Sequence, residues 1–238
     1  MTPGSPNRKA IVGSIDLEGV LRRQPLPSAV GSAAWSPQGW PMAFVSRSGA
    51  NRHDAARRDS EPDLWRLDGL HAVPYKILAQ QGTEINPQFS PDGTKILYVR
   101  KHRGSRNVWV VNADGSDPRQ LTRHLWLSTA AWSPDGKRVA VTGSGGAGRH
   151  LYVVTVAGRG SHRLAVGENL TNGLAWTPDG RWITYADFDG KIRRVRPDGR
   201  GREAIGGIPD REVRRLLWSP DGRHLVYAAR SIEDERYD

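Results

Sequence analysis

One short motif recurs five times in this 238-residue chain and restricts its fold more than any other feature. It is an aromatic residue followed by Ser or Thr, then Pro, Asp and Gly. The copies read Trp35-Ser-Pro-Gln-Gly39, Phe89-Ser-Pro-Asp-Gly93, Trp132-Ser-Pro-Asp-Gly136, Trp176-Thr-Pro-Asp-Gly180 and Trp218-Ser-Pro-Asp-Gly222. The aromatic positions are separated by 54, 43, 44 and 42 residues. Pro presets φ for the first central position of a turn, and Gly tolerates positive φ after it. The Asp carboxylate accepts bonds from backbone amides two residues on. Asp92, Asp135, Asp179 and Asp221 are therefore read as turn residues before any catalytic or metal role. Trp35, Phe89, Trp132, Trp176 and Trp218 are read as rings that pack between successive repeats, where a large flat side chain buries the most area.

An alternating apolar run follows each turn: Met42–Val45, Ile96–Val99, Val139–Thr142, Ile183–Ala186 and Leu225–Ala228. A third run comes next, at Leu64–Leu67, Val108–Val111, Leu151–Val154 and Ile192–Val195. Most of these end in a second Gly turn, as at Asn112–Gly115 and Arg196–Gly199, before a fourth short run. These are half-buried strand patterns, and no stretch shows capped helical spacing. A repeat of about 40–45 residues with four strands is the period of propeller blades. The predicted fold is an all-β, five-bladed propeller of four-stranded blades. The last repeat stops after its second strand, whereas Ile11–Gly19 and Val20–Arg23 align with strands three and four. The expectation is a ring closed by pairing N-terminal strands three and four with C-terminal strands one and two, which removes exposed edges. Residues 9–230 form the single domain in this reading, with a flexible N-terminus at 1–8 and a tail at 231–238.

Composition narrows the chemistry. The chain has no cysteine, which excludes disulfides, thiolate metal sites and a cysteine nucleophile. No run approaches the ~20 apolar residues of a membrane helix. The N-terminus lacks the apolar segment of a secretion signal, so the chain is expected to be cytoplasmic, or exported with its leader removed. Lys and Arg number 35 against 25 Asp and Glu, a formal net charge of +10. That surplus favours acidic or polyanionic partners, and it also fits a solvated basic surface.

The pattern Trp-Ser-Pro-Asp-Gly-(Lys/Arg), followed by Val-Trp-Val-Val-Asn-Ala-Asp-Gly at 108–115 and Arg-Gln-Leu-Thr at 119–122, resembles the TolB-type propeller repeat. It is also similar to the propellers of prolyl-oligopeptidase-like enzymes. The resemblance covers residues 9–230 and implies a propeller fold and a place in the periplasm or cell envelope. TolB-type proteins resemble six-bladed rings with a separate N-terminal domain; five blades and no such domain are counted here.

Other motifs are bland. Gly143–Gly148 matches G-x-G-x-x-G, but a third-strand pattern follows where a dinucleotide site needs a helix, so it reads as a hairpin loop. There is no G-x-S-x-G nucleophile elbow. Of the seven histidines, His53, His102, His124 and His150 fall in loops of one face without metal-ligand spacing, so no metal or cofactor is expected. That face collects the loops between strands two and three and between strands four and one. The candidate ligand-binding residues there are Arg52, Arg57, Arg58, Arg100, Lys101, Arg103, Arg106, Arg149 and Arg214. Guanidinium groups grip carboxylates and phosphates through paired hydrogen bonds. Ser32, Asn86, Thr129 and Arg215, three residues before their aromatics, are placed at the mouth of a central channel. The expected function is a non-catalytic, monomeric binding scaffold for an acidic protein or peptide. Nucleic acid or an anionic glycan is the alternative, and a lyase or peptidase-associated role is the enzymatic one.

Overall fold

The computed structural model describes residues 11–15, 21–25, 30–47, 62–78, 80–123, 126–144, 148–158, 161–164, 170–208 and 211–231. Every regular element among them is a β-strand. The chain falls into two units, residues 1–104 with 109–118, and residues 105–108 with 119–238.

In the first unit, β1 (Ile11–Ile15) and β2 (Leu21–Pro25) form a two-stranded antiparallel sheet, with Ile15 opposite Leu21. A four-stranded antiparallel sheet follows, in the order β3 (Val30–Ser36), β4 (Gly39–Arg47), β5 (Pro62–Leu67) and β6 (Tyr75–Leu78). Then come β7 (Thr83–Phe89), β8 (Lys95–His102) and β9 (Ser105–Asn112). The division between the units passes through β9, whose residues from Trp109 onward belong to the first. The alternation read from the sequence sends Ala43, Val45, Leu64 and Leu78 of one sheet onto Phe89, Ile96, Tyr98 and Val111 of the next. The motif ring Phe89 is thus wedged between sheets, as expected.

The second unit begins with the first half of β9 and its partner β10 (Arg119–Gln120). Next come β11 (Trp126–Trp132), which pairs parallel with β9 at Arg106, and then β12 (Arg138–Ser144), β13 (Arg149–Thr155) and β14 (Ser161–Leu164), each of these three antiparallel to the strand before it. Ser144 pairs with Arg149 across the glycine loop, so that segment is a hairpin. A second four-stranded sheet runs β15 (Leu170–Trp176), β16 (Ile183–Asp187), β17 (Lys191–Val195) and β18 (Glu203–Gly207). The last strands, β19 (Arg211–Trp218) and β20 (Leu225–Ser231), form a two-stranded sheet. Leu151, Val153 and Leu164 pack on Leu174, Trp176, Ile183 and Tyr185, while Ala175, Ala186 and Ile192 pack on Val213 and Leu216. Two of the described sheets, β3–β6 and β15–β18, are separate four-stranded repeats. β1–β2 and β19–β20 stand as separate pairs.

The motif turn is built identically in its Asp-containing copies. Ser90 accepts the Gly93 amide at 2.8 Å, and the same carbonyl-to-Gly bond closes the turns at Ser133, Thr177 and Ser219. The hydroxyl donates to the carboxylate: Ser90 to Asp92 at 2.6 Å, Ser133 to Asp135, Thr177 to Asp179 and Ser219 to Asp221 each at 2.5 Å. Each carboxylate also accepts an amide two residues on at 3.0 Å. Gly93, Gly136, Gly180 and Gly222 all have φ between 66° and 71°, where a Cβ would be strained. In the first copy Gln38 replaces Asp and takes the Ser36 hydroxyl at 2.6 Å.

Candidate functional site

The sequence places the four motif aspartates in turns, and their electrostatics agree. The Ser90, Thr177 and Ser219 hydroxyls and the following amides hold Asp92, Asp179 and Asp221 below the usual carboxylate range. Burial pushes Asp135 upward, and the Ser133 hydroxyl, the Lys137 amide and nearby cations outweigh it, so its pKa is also lowered. These carboxylates are ionised and engaged in turn geometry.

In the first unit, Arg52, Arg57 and Arg58 lie outside the described residues, as does His53. Arg100 points inward. It donates to the Gln81 carbonyl through Nε (2.8 Å) and Nη2 and to Gln80 Oε1 at 2.5 Å, and its guanidinium lies 5.0 Å from the Trp109 ring centre. Its Nε stands 3.9 Å from the fully buried Glu84 carboxylate. Beside them, burial and then the Glu84 charge push the Tyr98 hydroxyl above the ordinary tyrosine range. Arg100 therefore serves the interior of its blade, while Lys101 and Arg103 at the β8–β9 turn are exposed. Of the channel-mouth residues, Ser32 accepts the Asn86 amide at 3.0 Å, which joins the first strands of two successive repeats.

In the second unit, Arg106 lies 4.9 Å over Trp126, a ring that is half exposed. Arg149 lies 5.7 Å over the likewise exposed Phe188 and donates to the Leu170 carbonyl at 2.9 Å. Both pairs stand at the strand end that carries the strand 2–3 and 4–1 loops. Arg214 pairs with Glu212 at 3.2 Å, and Arg230 joins the same carboxylate at 2.8 Å. Thr129 is half-buried and Arg215 exposed. His124 lies outside the described residues, and His150 is buried.

Two features were missed by the sequence reading. The first strand of each repeat slips register, between Val30 and Ala33, Ile85 and Gln88, Leu127 and Thr129, Leu170 and Leu174, and Val213 and Arg215, and in four of the five a channel-mouth residue (Ser32, Asn86, Thr129 or Arg215) sits at or within the slip. Such bulges re-aim side chains, and they cluster beside functional sites. Asn86 takes φ of 53° at its bulge. The second feature is the set of Arg–aromatic stacks, whose partners come from different strands and carry no local signal. Among the described residues, no group of three His, Cys, Asp or Glu side chains has metal-binding geometry. No helix among them is long and apolar enough to cross a membrane.

The family profile described as the TolB beta propeller domain matches residues 28–236. An uncharacterised protein of Agrobacterium fabrum is 32% identical over 156 residues, 62% of this chain and 53% of that protein. The chain thus matches about half the length of that relative. A solved structure from Agrobacterium tumefaciens assigned to TolB superposes with a TM-score of 0.69 at 26% identity, covering 92% of this chain and 76% of the other. Oligogalacturonate lyase from Vibrio parahaemolyticus superposes with a TM-score of 0.69 at 14% identity over 90% of this chain and 67% of its own, a likeness of fold alone.

Proposed function

The chain belongs to the TolB β-propeller family, and from that premise we propose that it is a non-catalytic binding scaffold for an acidic protein or peptide. The carrying observation is the pair of exposed Arg–aromatic stacks, Arg106 on Trp126 and Arg149 on Phe188, at the loop end of the second unit. Exposed aromatic and arginine side chains are what interface centres are enriched in. A stacked guanidinium keeps its edge for a carboxylate while its face is occupied. In this reading the repeats form a five-bladed ring, closed by β1 and β2 completing the sheet of β19 and β20. Support against catalysis is indirect: the carboxylates with displaced pKa values are committed to turns or ion pairs.

The test is affinity capture followed by mass spectrometry with wild type, Trp126→Ala/Phe188→Ala and Arg103→Glu/Arg214→Glu chains. Loss of the two rings is expected to weaken the captured partner at least about 30-fold, the scale of an interface hot spot. An unchanged partner set in both variants overturns the site. A steep loss of DNA binding with added salt, insensitive to the ring substitutions, replaces it with the polyanion reading.

A further inference from the structure

The opposite end of the second unit carries a groove that the loop-end reading does not use. It has a volume of 620 Å³ and is lined by Arg138, Gly180, Arg181, Trp182, Arg196, Pro197 and Asp198. The volume is that of a small-molecule site. Three strand segments build it. The motif turn of one repeat supplies Gly180 to Trp182, the following 3–4 turn supplies Arg196 to Asp198, and Arg138 comes from β12 of the preceding sheet.

Two of its lining cations, Arg138 and Arg196, lie against indole rings. Arg138 lies 5.1 Å over the buried Trp176 ring. Arg196 lies 5.3 Å from the Trp182 ring centre, and Arg194 lies 4.3 Å from it while pairing with Glu203. Gly201 leaves room for this arrangement, since a Cβ there would come within 3.3 Å of the indole and 3.4 Å of Arg196 Nε. Arg181 is 82% exposed and only 3.9 Å from Asp179 at its nearest. A ring-stacked guanidinium such as Arg196 loses less freedom when it grips an oxyanion.

The charge count sets the class of ligand. Arg138 and Arg181 each have a motif aspartate at 3.9 Å, and Asp198 stands in the groove wall. Three carboxylates beside three guanidinium groups leave little long-range field, so a polyanion gains little there. Short-range donors remain, with one carboxylate acceptor next to them. Asp198 uses Oδ1 for the Arg200 amide at 2.9 Å, and its carboxylate faces solvent. Trp182 and Pro197 add apolar wall. The geometry points to a site for a hydroxylated organic anion of sugar size. Its carboxylate or phosphate lies across Arg181 and Arg196, and its hydroxyl donates to Asp198.

Galacturonate and glucose 6-phosphate are the probes for the two oxyanion sources, with galactose and glucose as uncharged controls. The readout is the Trp182 indole N–H resonance, assigned with Trp182→Phe. At about 10 mM, near saturation for a Kd of about 1 mM, at least one acid is expected to shift it saturably and neither neutral sugar to do so. Whichever acid shifts it identifies the source. Arg181→Gln/Arg196→Gln is expected to weaken binding about tenfold or more. Asp198→Asn is expected to weaken the hydroxylated acid and leave acetate unaffected. Thermal melts confirm that each variant is folded. The proposal is overturned if neither acid moves the signal, if the double variant binds equally well, or if neutral sugars bind as well as the acids.

Discussion

Tyr185 and Tyr227 occupy the same place in successive repeats, Ile-Thr-Tyr-Ala against Leu-Val-Tyr-Ala, and meet opposite fates. Tyr185 is fully buried and Tyr227 is 49% exposed. Their neighbours differ the same way: Thr184 is buried while the more apolar Val226 is 61% exposed. One strand earlier, Ala175 is buried and Leu217 is 62% exposed. The local strands are alike, each antiparallel to its partner behind the same turn. What differs is the covering. The β15–β18 sheet has a packed neighbour on its face and a third strand on its edge; β20 ends a two-stranded sheet. In the first unit the motif ring Phe89 is 8% exposed, whereas Trp35, which begins the series, is 50% exposed and touches Trp40 edge-on. A blade pattern is thus a demand for burial that only the next sheet can meet.

The largest expected effect breaks this comparison at its root. If the N-terminal strands complete the last sheet, deleting residues 1–23 removes the cover of Leu217, Val226 and Tyr227. At about 1.5–3 kcal/mol per buried side chain, the melting temperature is expected to fall by about 10 °C or more, with broadened unfolding. An unchanged, equally sharp melt means those side chains are bare in the native protein. Next in size is a matched pair of ring deletions. Trp176→Ala is expected to cost about 3–5 kcal/mol in urea unfolding, because a well-packed core ring leaves a cavity. It also loses the indole bond to the Ala131 carbonyl at 3.1 Å. Trp35→Ala is expected to cost less than half as much, and an equal cost would show that Trp35 is covered in solution.

The smallest effect tests the part of the repeat that does not depend on neighbours. Asp92, Asp179 and Asp221 have folded pKa values below their unfolded ones. In acid the unfolded chain therefore binds more protons than the folded one. Their stabilisation is complete above the ordinary aspartate range, near pH 4, and fades as pH falls through the depressed values. Urea midpoints are expected to be flat from pH 7 to about 5 and to decline below that. Asp179→Asn is expected to lower neutral stability by about 1 kcal/mol or less and to flatten part of the acid slope. Asp221→Asn, in the half-covered terminal repeat, is expected to flatten that slope in the same way.

These contrasts explain what was legible. The turn network needed only five consecutive residues, so motif, glycine φ and aspartate role could all be read in advance. Strand order followed from alternation and spacing. The candidate cations were harder. Arg100 looked like a loop cation, but an acceptor 19 residues away at Gln81 and a ring at Trp109 draw it inward. Arg106 and Arg149 were picked for charge, while their stacking on Trp126 and Phe188 was not foreseen. Trp182 was passed over because nothing near it in sequence announces three arginines around one groove.

The amino-acid order by itself determined the repeat, its turns, the strand count per repeat and which side chains ask for burial, because each rests on interactions within a few residues or on a two-residue period. Tertiary structure decided which of those demands are met, where the first strands slip register, and which guanidinium lies on which ring. Those outcomes depend on groups brought together from separate strands and turns, and pairing between strands is a property of two segments that neither one encodes alone.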